Sequence, residues 1–221
     1  MHDEAEIRRA LAILAPSGVF EIRAPKARLG SRTGTAAGYF DNHDAAAKAA
    51  AKLSGNAPGV YLTLNPVNPA LLARYNNRLA PNAEHTTGDA EIVRRRWLLL
   101  DFDPVRPAGI SSSDAEHEAA LERARRCCDW LTSQGWPAPV YADSGNGAHL
   151  LCKIDLPNDD DAKALLAALL KDLASRFDDD RVKIDTGVSN AGRISKLYGT
   201  TACKGDPLPD RPHRIARILE S

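Results

Sequence analysis

Asp101 and Asp103 stand two residues apart at the end of the run Trp97-Leu98-Leu99-Leu100. Side chains of a strand alternate faces with period two, so a strand over 96–103 sets Leu98, Leu100 and Phe102 on one face and Leu99, Asp101 and Asp103 on the other. His149 repeats the pattern opposite Leu150, Cys152 and Ile154, and Asp185 repeats it opposite Val182 and Ile184. With the apolar sets under helices, three carboxylates and an imidazole emerge together. Close carboxylates without matching cations repel one another and are costly to desolvate. A divalent cation relieves that cost. Oxygen ligands select Mg2+ or Mn2+ over zinc, and Mg2+ takes one or two carboxylates plus substrate phosphates. Ahead of His149, the turn Ser144-Gly145-Asn146-Gly147 lets backbone amides approach a phosphate, which makes Ser144, Gly145, Asn146 and His149 candidate nucleotide contacts. Arg193 and Lys196 are candidate cationic clamps. This is the equipment of phosphoryl or nucleotidyl transfer, where positioning and charge neutralisation supply most of the catalysis. Taken singly, each feature has an ordinary reading: a strand running into the turn at Pro104, a hydrogen-bonded histidine, a hairpin. Only their convergence on one face points to a site.

The elements that must carry these residues alternate along the chain. Apolar spacing predicts a helix over 3–14, with Ile7, Leu11 and Leu14 on one face, then strands over 19–23 and 37–40 joined by a Gly/Arg/Thr-rich connection. A helix over 44–53, a strand over 60–64 and a helix over 69–79 follow, and the polar stretch 81–89 reads as a joint. The division expected is an N-terminal α/β unit over 1–90 and a second unit over 91–221. In the second, the strand over 96–103 leads to a helix opened by the capping box Ser113-Asp114-Ala115-Glu116. Strands over 139–143 and 148–154, a helix over 158–177 and a strand from Val182 to Asp185 complete the order β-α-β-β-α-β. That is the split βαβ or ferredoxin-like unit, with helices on one sheet face, so the fold class is α+β. Its third and fourth strands flank the first and run antiparallel to it, which brings their starts beside Asp101 and Asp103. Segments 193–198 and 214–219 are candidates for further strands. Asn65 and Asn68, flanked by prolines, read as turn residues, and Arg94-Arg95-Arg96 as a solvated approach to the strand.

Three segments together resemble the motifs of the archaeo-eukaryotic primase superfamily: Leu99-Leu100-Asp101-Phe102-Asp103, Ser144-Gly145-Asn146-Gly147-Ala148-His149 and Val182-Lys183-Ile184-Asp185. The trailing Arg193-Ile194-Ser195-Lys196-Leu197-Tyr198-Gly199-Thr200 is similar to the bacterial, phage and plasmid primase-polymerase branch. The resemblance implies an N-terminal α/β unit joined to an RRM-like palm, with the active site on the open sheet face. It implies two metal ions, Mg2+ or Mn2+, on Asp101, Asp103 and Asp185, and a triphosphate contact from His149. Template-dependent joining of nucleoside triphosphates, as a DNA primase or polymerase on a single-stranded DNA template, is the implied activity. A helicase on the same or another chain is the further partner that family habit implies. The chain carries no Cys/His zinc module of the kind many primases have.

Composition bounds these readings. At 221 residues, 43% hydrophobic and 26% charged, the chain is of ordinary globular make-up and can bury a core without disulfides. Its 29 basic and 29 acidic residues cancel, so a claim of nucleic-acid binding has to rest on a site rather than on bulk charge. No apolar run approaches the roughly 20 residues of a membrane span. Cys127, Cys128, Cys152 and Cys203 form no CxxC pair and read as reduced thiols of a cytoplasmic protein. Other functions share the sheet topology. A single-strand binding module would show stacking aromatics on the face that here offers Asp and His. A rolling-circle initiator nuclease expects a His-x-His pair and a helical tyrosine, whereas Tyr198 lies in strand-like sequence. A palm-type nucleotide cyclase also uses paired aspartates.

Overall fold

The computed structural model describes residues 1–29 and 32–221. Asp3 accepts a hydrogen bond from the Glu6 amide and starts α1 (Glu4–Leu14), whose Ile7, Ala10, Leu11 and Leu14 are buried. The chain then forms a long antiparallel hairpin of β1 (Phe20–Leu29) and β2 (Arg32–Phe40). The Gly/Arg/Thr-rich stretch expected to be a connection is therefore mostly strand, and its centre, Gly30-Ser31, lies outside the described residues. Pairing jumps from Ala24↔Ala36 to Ala27↔Gly34, so Pro25 and Lys26 bulge out, with Lys26 at a left-handed φ of 55°. After α2 (His43–Leu53), capped by Asn42, comes the short β3 (Tyr61–Thr63). The helix expected over 69–79 is only a 3-10 turn, Pro69–Ala73. Residues beyond it instead follow β2: the Tyr39 amide donates to Tyr75 O, the Asn77 amide to Tyr39 O, and Ala37 and Ala80 exchange bonds. Asn77, at a φ of 49°, ends any helical path there.

The second unit follows the expected order: β4 (Arg95–Pro104), α3 (Asp114–Ser133), β5 (Val140–Asp143), β6 (Ala148–Leu156), α4 (Asp160–Phe177) and β7 (Val182–Ile184). Ser113 and Glu116 form the capping box of α3. β4 is flanked by antiparallel β6 and β7, with β5 beyond β6. Leu98, Leu100 and Phe102 pack with Leu150, Cys152 and Ile184 against Ala124, Cys127, Leu131, Leu166, Leu170 and Leu173 of the two helices. A third segment laces the units together. β8 (Ile194–Lys196) pairs with β3, so the first sheet runs β2-β1-β3-β8. β9 (Thr201–Ala202) and β10 (Arg214–Ile215) pair with each other, and β11 (Arg217–Glu220) extends the second sheet beside β5. The N-terminal unit thus takes a strand from far beyond residue 90.

This lacing decides how much of the palm face is accessible. Leu99, Leu151, Val140 and Ala142 point away from α3 and α4, yet they are buried against Leu197, Tyr198, Ile218 and the core of the first sheet. Apolar side chains on both faces of a sheet need cover on both, and the first unit supplies the second cover. The face remains open at the Asp101–Asp103 end. Among the described residues no helix is long and apolar enough to cross a membrane.

Candidate active site

At that end the two units leave a cavity of about 340 Å³, lined by Asp101, Asp103, His149, Ser144 and Asn146 from the palm. Across from them stand Tyr61 of β3, Arg193 and Ser195, Lys196 of β8, and Lys204 from the loop after β9. Pro25 reaches the cavity because of the β1 bulge. Asp101 faces His149 directly in the β4–β6 ladder, and His149 Nε2 lies 3.3 Å from Asp101 Oδ1. The other ring nitrogen, Nδ1, is 2.8 Å from the hydroxyl of Tyr198, with Ser195 Oγ at 3.5 Å. Tyr198 is wholly buried, and a buried phenol needs a polar partner. A proton from Tyr198 to Nδ1 leaves Nε2–H to donate to Asp101, so this chain of bonds sets the ring's orientation and tautomer.

Charge is divided between the walls. The Asp101 side chain is 25% exposed and that of Asp103 is 47% exposed. Desolvation pushes the Asp101 pKa up, but the charge and hydrogen bond of His149, with Lys204 and Arg193, together outweigh it and the net shift is downward. Asp103 is shifted upward, first by desolvation and then by the negative charge of Asp101, against the pull of Lys204 and Arg106. Arg106 Nη1 lies 3.7 Å from Asp103 Oδ1. Opposite, burial lowers Lys196 to about 7; its Nζ donates to Thr201 O at 2.8 Å and sits 5.7 Å from the centre of the Tyr61 ring. Desolvation, then Asp101 and Asp103, raise the Tyr61 pKa, which places that ring within the field of the carboxylates.

Asp185 stands apart from this cluster. Its amide donates to Asp101 O, which continues the β4–β7 ladder and keeps it on the Asp101 face. Its carboxylate, however, is exposed and accepts from the Gly187 amide at 2.8 Å, outside the cavity lining. Among the described residues no three acidic, His or Cys side chains are gathered closely enough to hold a metal by themselves. The pair Asp101 and Asp103 nevertheless suits a hard divalent cation that completes its shell with phosphate and water. The upward shift of Asp103 records desolvation first and then repulsion by Asp101, and a cation there would oppose both.

The turn before His149 is more committed to the fold than its sequence suggests. Gly145, at a φ of 88°, donates to Asp143 Oδ1, and a Cβ there would lie 2.7 Å from Ala202 Cβ. A Cβ on Gly147 would fall 2.2 Å from Phe102 O, and its amide donates to Ser144 Oγ. Both glycines thus admit other protein segments rather than a ligand. Asn146 Oδ1 accepts from the Ser112 amide. Its own backbone N–H is the turn's one amide without a protein partner among the described residues. Arg193 donates to Gly187 O while its Nε, buried, has no partner. Asn65 and Asn68 are turn residues as expected, whereas Arg95, expected on a solvated approach, is the buried first residue of β4. Asn65 accepts from the Arg96 and Trp97 amides and donates to Ala191 O, Asn68 caps the 3-10 turn, and Arg95 is buried against Ser189 O. Tyr61, Lys204 and the Tyr198–His149 bond escaped the sequence reading because each depends on the first unit or the C-terminal segment folding over the palm.

No family model and no curated protein matches the chain. Solved structures do. A crystal structure of primase RepB' aligns with a TM-score of 0.53 at 15% identity, over 99% of this chain and 56% of that one. The catalytic domain of primase RepB' in complex with initiator DNA aligns at 0.50 and 13%, over 99% and 85%. The polymerase domain of Mycobacterium tuberculosis ligase D in complex with DNA gives 0.49 and 16%, over 96% and 80%. At such identities the RepB' likeness establishes a shared fold, and the chain spans little more than half the length of primase RepB'.

Proposed function

We propose that the chain is a template-dependent nucleotidyltransferase, a primase-polymerase catalytic domain that joins nucleoside triphosphates on single-stranded DNA. The observation that carries this reading is the cavity's split charge: two carboxylates on one wall, and Arg193, Lys196 and Lys204 on the other. A metal-bound triphosphate needs both. When bound, Mg2+ or Mn2+ would neutralise the phosphates and make the attacking 3′-hydroxyl easier to deprotonate. Asp101 and Asp103 would hold it, and Asp185 would join them by giving up its bond to Gly187. Arg193, Lys196 and Lys204 would orient the triphosphate so that pyrophosphate leaves away from the carboxylates, with the Asn146 amide as a further donor. His149 would hold Asp101 through Nε2–H and turn that proton to a phosphate oxygen once Asp101 is drawn to the cation. The fold shared with the RepB' catalytic domain, crystallised with initiator DNA, supports a DNA partner.

The test is incubation with a single-stranded template, with and without primer, Mg2+ or Mn2+, and ribo- or deoxyribonucleoside triphosphates. Strands extended by the wild type but not by Asp101→Ala or Asp103→Ala are expected. Cyclic nucleotides, or no product with any nucleotide pool, would overturn the reading.

A further inference from the structure

A second cavity, larger than the catalytic one at about 520 Å³, opens at the other end of the seam between the two units. Its walls come from the end of α1 and the following loop, the end of β3, and the start of β4. The lining is mostly apolar, including Ile13, Pro16, Val67, Val93 and Trp97. Its charged residues are Arg94, Arg96 and Lys153; no carboxylate lines it. Arg96 and Lys153 are exposed, and neither side chain has an ion-pair partner among the described residues, whereas Arg94 pairs with Asp155. Val93 leaves 59% of its surface in water beside these cations. A volume in the range of ligand pockets, an apolar lining and a rim of one charge sign together specify a complementary ligand.

We infer that this pocket docks a short acidic peptide segment of a partner protein, with one bulky apolar side chain inserted and neighbouring carboxylates on Arg96 and Lys153. The lining favours peptide over single-stranded nucleic acid. Strand binding relies on exposed aromatic faces for successive bases and on a track of cations. Here Phe20 is buried, and the indole of Trp97 is tied edge-on to the fold by its Nε1–H donating to Leu14 O at 3.1 Å. Proline, valine and leucine suit an aliphatic or single aromatic anchor. The pocket shares no lining residue with the catalytic cavity, so docking there leaves the triphosphate site free.

The probe is a fluorescein-labelled peptide of three aspartates followed by isoleucine, proline and phenylalanine, titrated with the whole chain and read by anisotropy. Saturable binding is expected, together with a change in tryptophan emission when unlabelled peptide is used, since Trp97 is the one tryptophan that lines the pocket. Arg96→Glu, Lys153→Glu and Val93→Asp, all at exposed positions, should each weaken it by about tenfold or more. A peptide with lysines in place of the aspartates should not bind, and excess oligothymidylate should not compete. Competition by oligothymidylate that disappears in Arg96→Glu and Lys153→Glu would overturn the inference and make the pocket a nucleic-acid site. Absence of saturable peptide binding, or binding unaffected by all three substitutions, would overturn it as well.

Discussion

Asp103→Asn separates the two roles of the carboxylate pair, because asparagine keeps the shape of aspartate and removes its charge. Asp101 and Asp103 are alternate residues of one strand, so their side chains stand about 6.7 Å apart. At that distance two unit charges repel by about 0.6 kcal/mol at the dielectric of water and about 1.2 kcal/mol at half that value. The lower half of that range fits better, since nearly half of the Asp103 side chain is exposed and exposed charges are strongly screened. Substitution also gives up the attraction of Lys204 and Arg106, but the upward shift of Asp103 shows that desolvation and repulsion outweigh it. Metal-free Asp103→Asn should therefore melt about 1–3 °C above the wild type, from roughly 2–4 °C per kcal/mol for a domain of this size. The sign with pH follows. A carboxyl whose folded pKa is raised contributes stability that is complete below the unfolded value, about 3.9, and is lost as pH rises through the folded value. The variant's advantage should thus vanish near pH 4, grow above it, and shrink in high salt. The assay is thermal denaturation in chelator across pH and salt, with primer extension in parallel, where the variant should make no strand. A melting point that falls, or synthesis near the wild-type rate, would refute the reasoning.

Tyr198→Phe removes the donor to His149 Nδ1 and leaves a buried acceptor with only Ser195 Oγ at 3.5 Å; a loss of about 1–2 kcal/mol is expected, together with slower nucleotide incorporation, read by melting and by single-nucleotide kinetics. For Lys196, held near 7 by burial, the unfolded chain binds more protons above that pH. Wild-type stability should therefore climb from pH 7 towards 10 relative to Lys196→Met, and parallel curves for the two proteins would contradict the buried-amine assignment. Gly145→Ala forces a side chain into a left-handed residue with Ala202 Cβ at 2.7 Å; at least about 1–2 kcal/mol of destabilisation is expected, and an unchanged melting point would show that the turn can move.

Features written locally in the chain were legible. The alternation of Leu98, Leu100 and Phe102 with Asp101 and Asp103, and the Ser113–Glu116 capping box, are decided within a strand or a helical turn. Given the β-α-β-β-α-β order, the pairing of Asp101 with His149 followed from topology. The sequence alone did not reveal what long-range contact decides. Segment 69–79 has helical spacing, but hydrogen bonds to Tyr39 and Ala37 along β2 outweigh a marginal helix propensity. The Gly- and Thr-rich arms of the first hairpin looked like loop, yet a bulge at Pro25-Lys26 lets them pair. Asp185 has the right face and register, but Gly187 two residues on offers its carboxylate a local amide, and this Asx turn holds it outside the cavity.

The neutrality of the chain and the polarity of its site are reconciled by where each wall originates. The carboxylate wall belongs to the palm sheet, and the cationic wall to β8, which pairs with the first sheet, to Arg193 just before it, and to the loop after β9. Neither unit alone carries both walls of the cavity, so overall charge carries no trace of their opposition. What keeps the walls opposed is apolar: Leu99 and Leu151 beneath Asp101 and His149 pack on Leu197 and Tyr198, which immediately follow Lys196. The same residues that exclude water from the seam fix the spacing between the charges. A cavity opened by shortening Leu197 would then cost stability, at about 2–5 kcal/mol for a buried leucine cut to alanine, and would at the same time loosen the register between carboxylate and lysine. In this fold, core packing and the geometry of the candidate site are one constraint, because the cavity is the open end of the core.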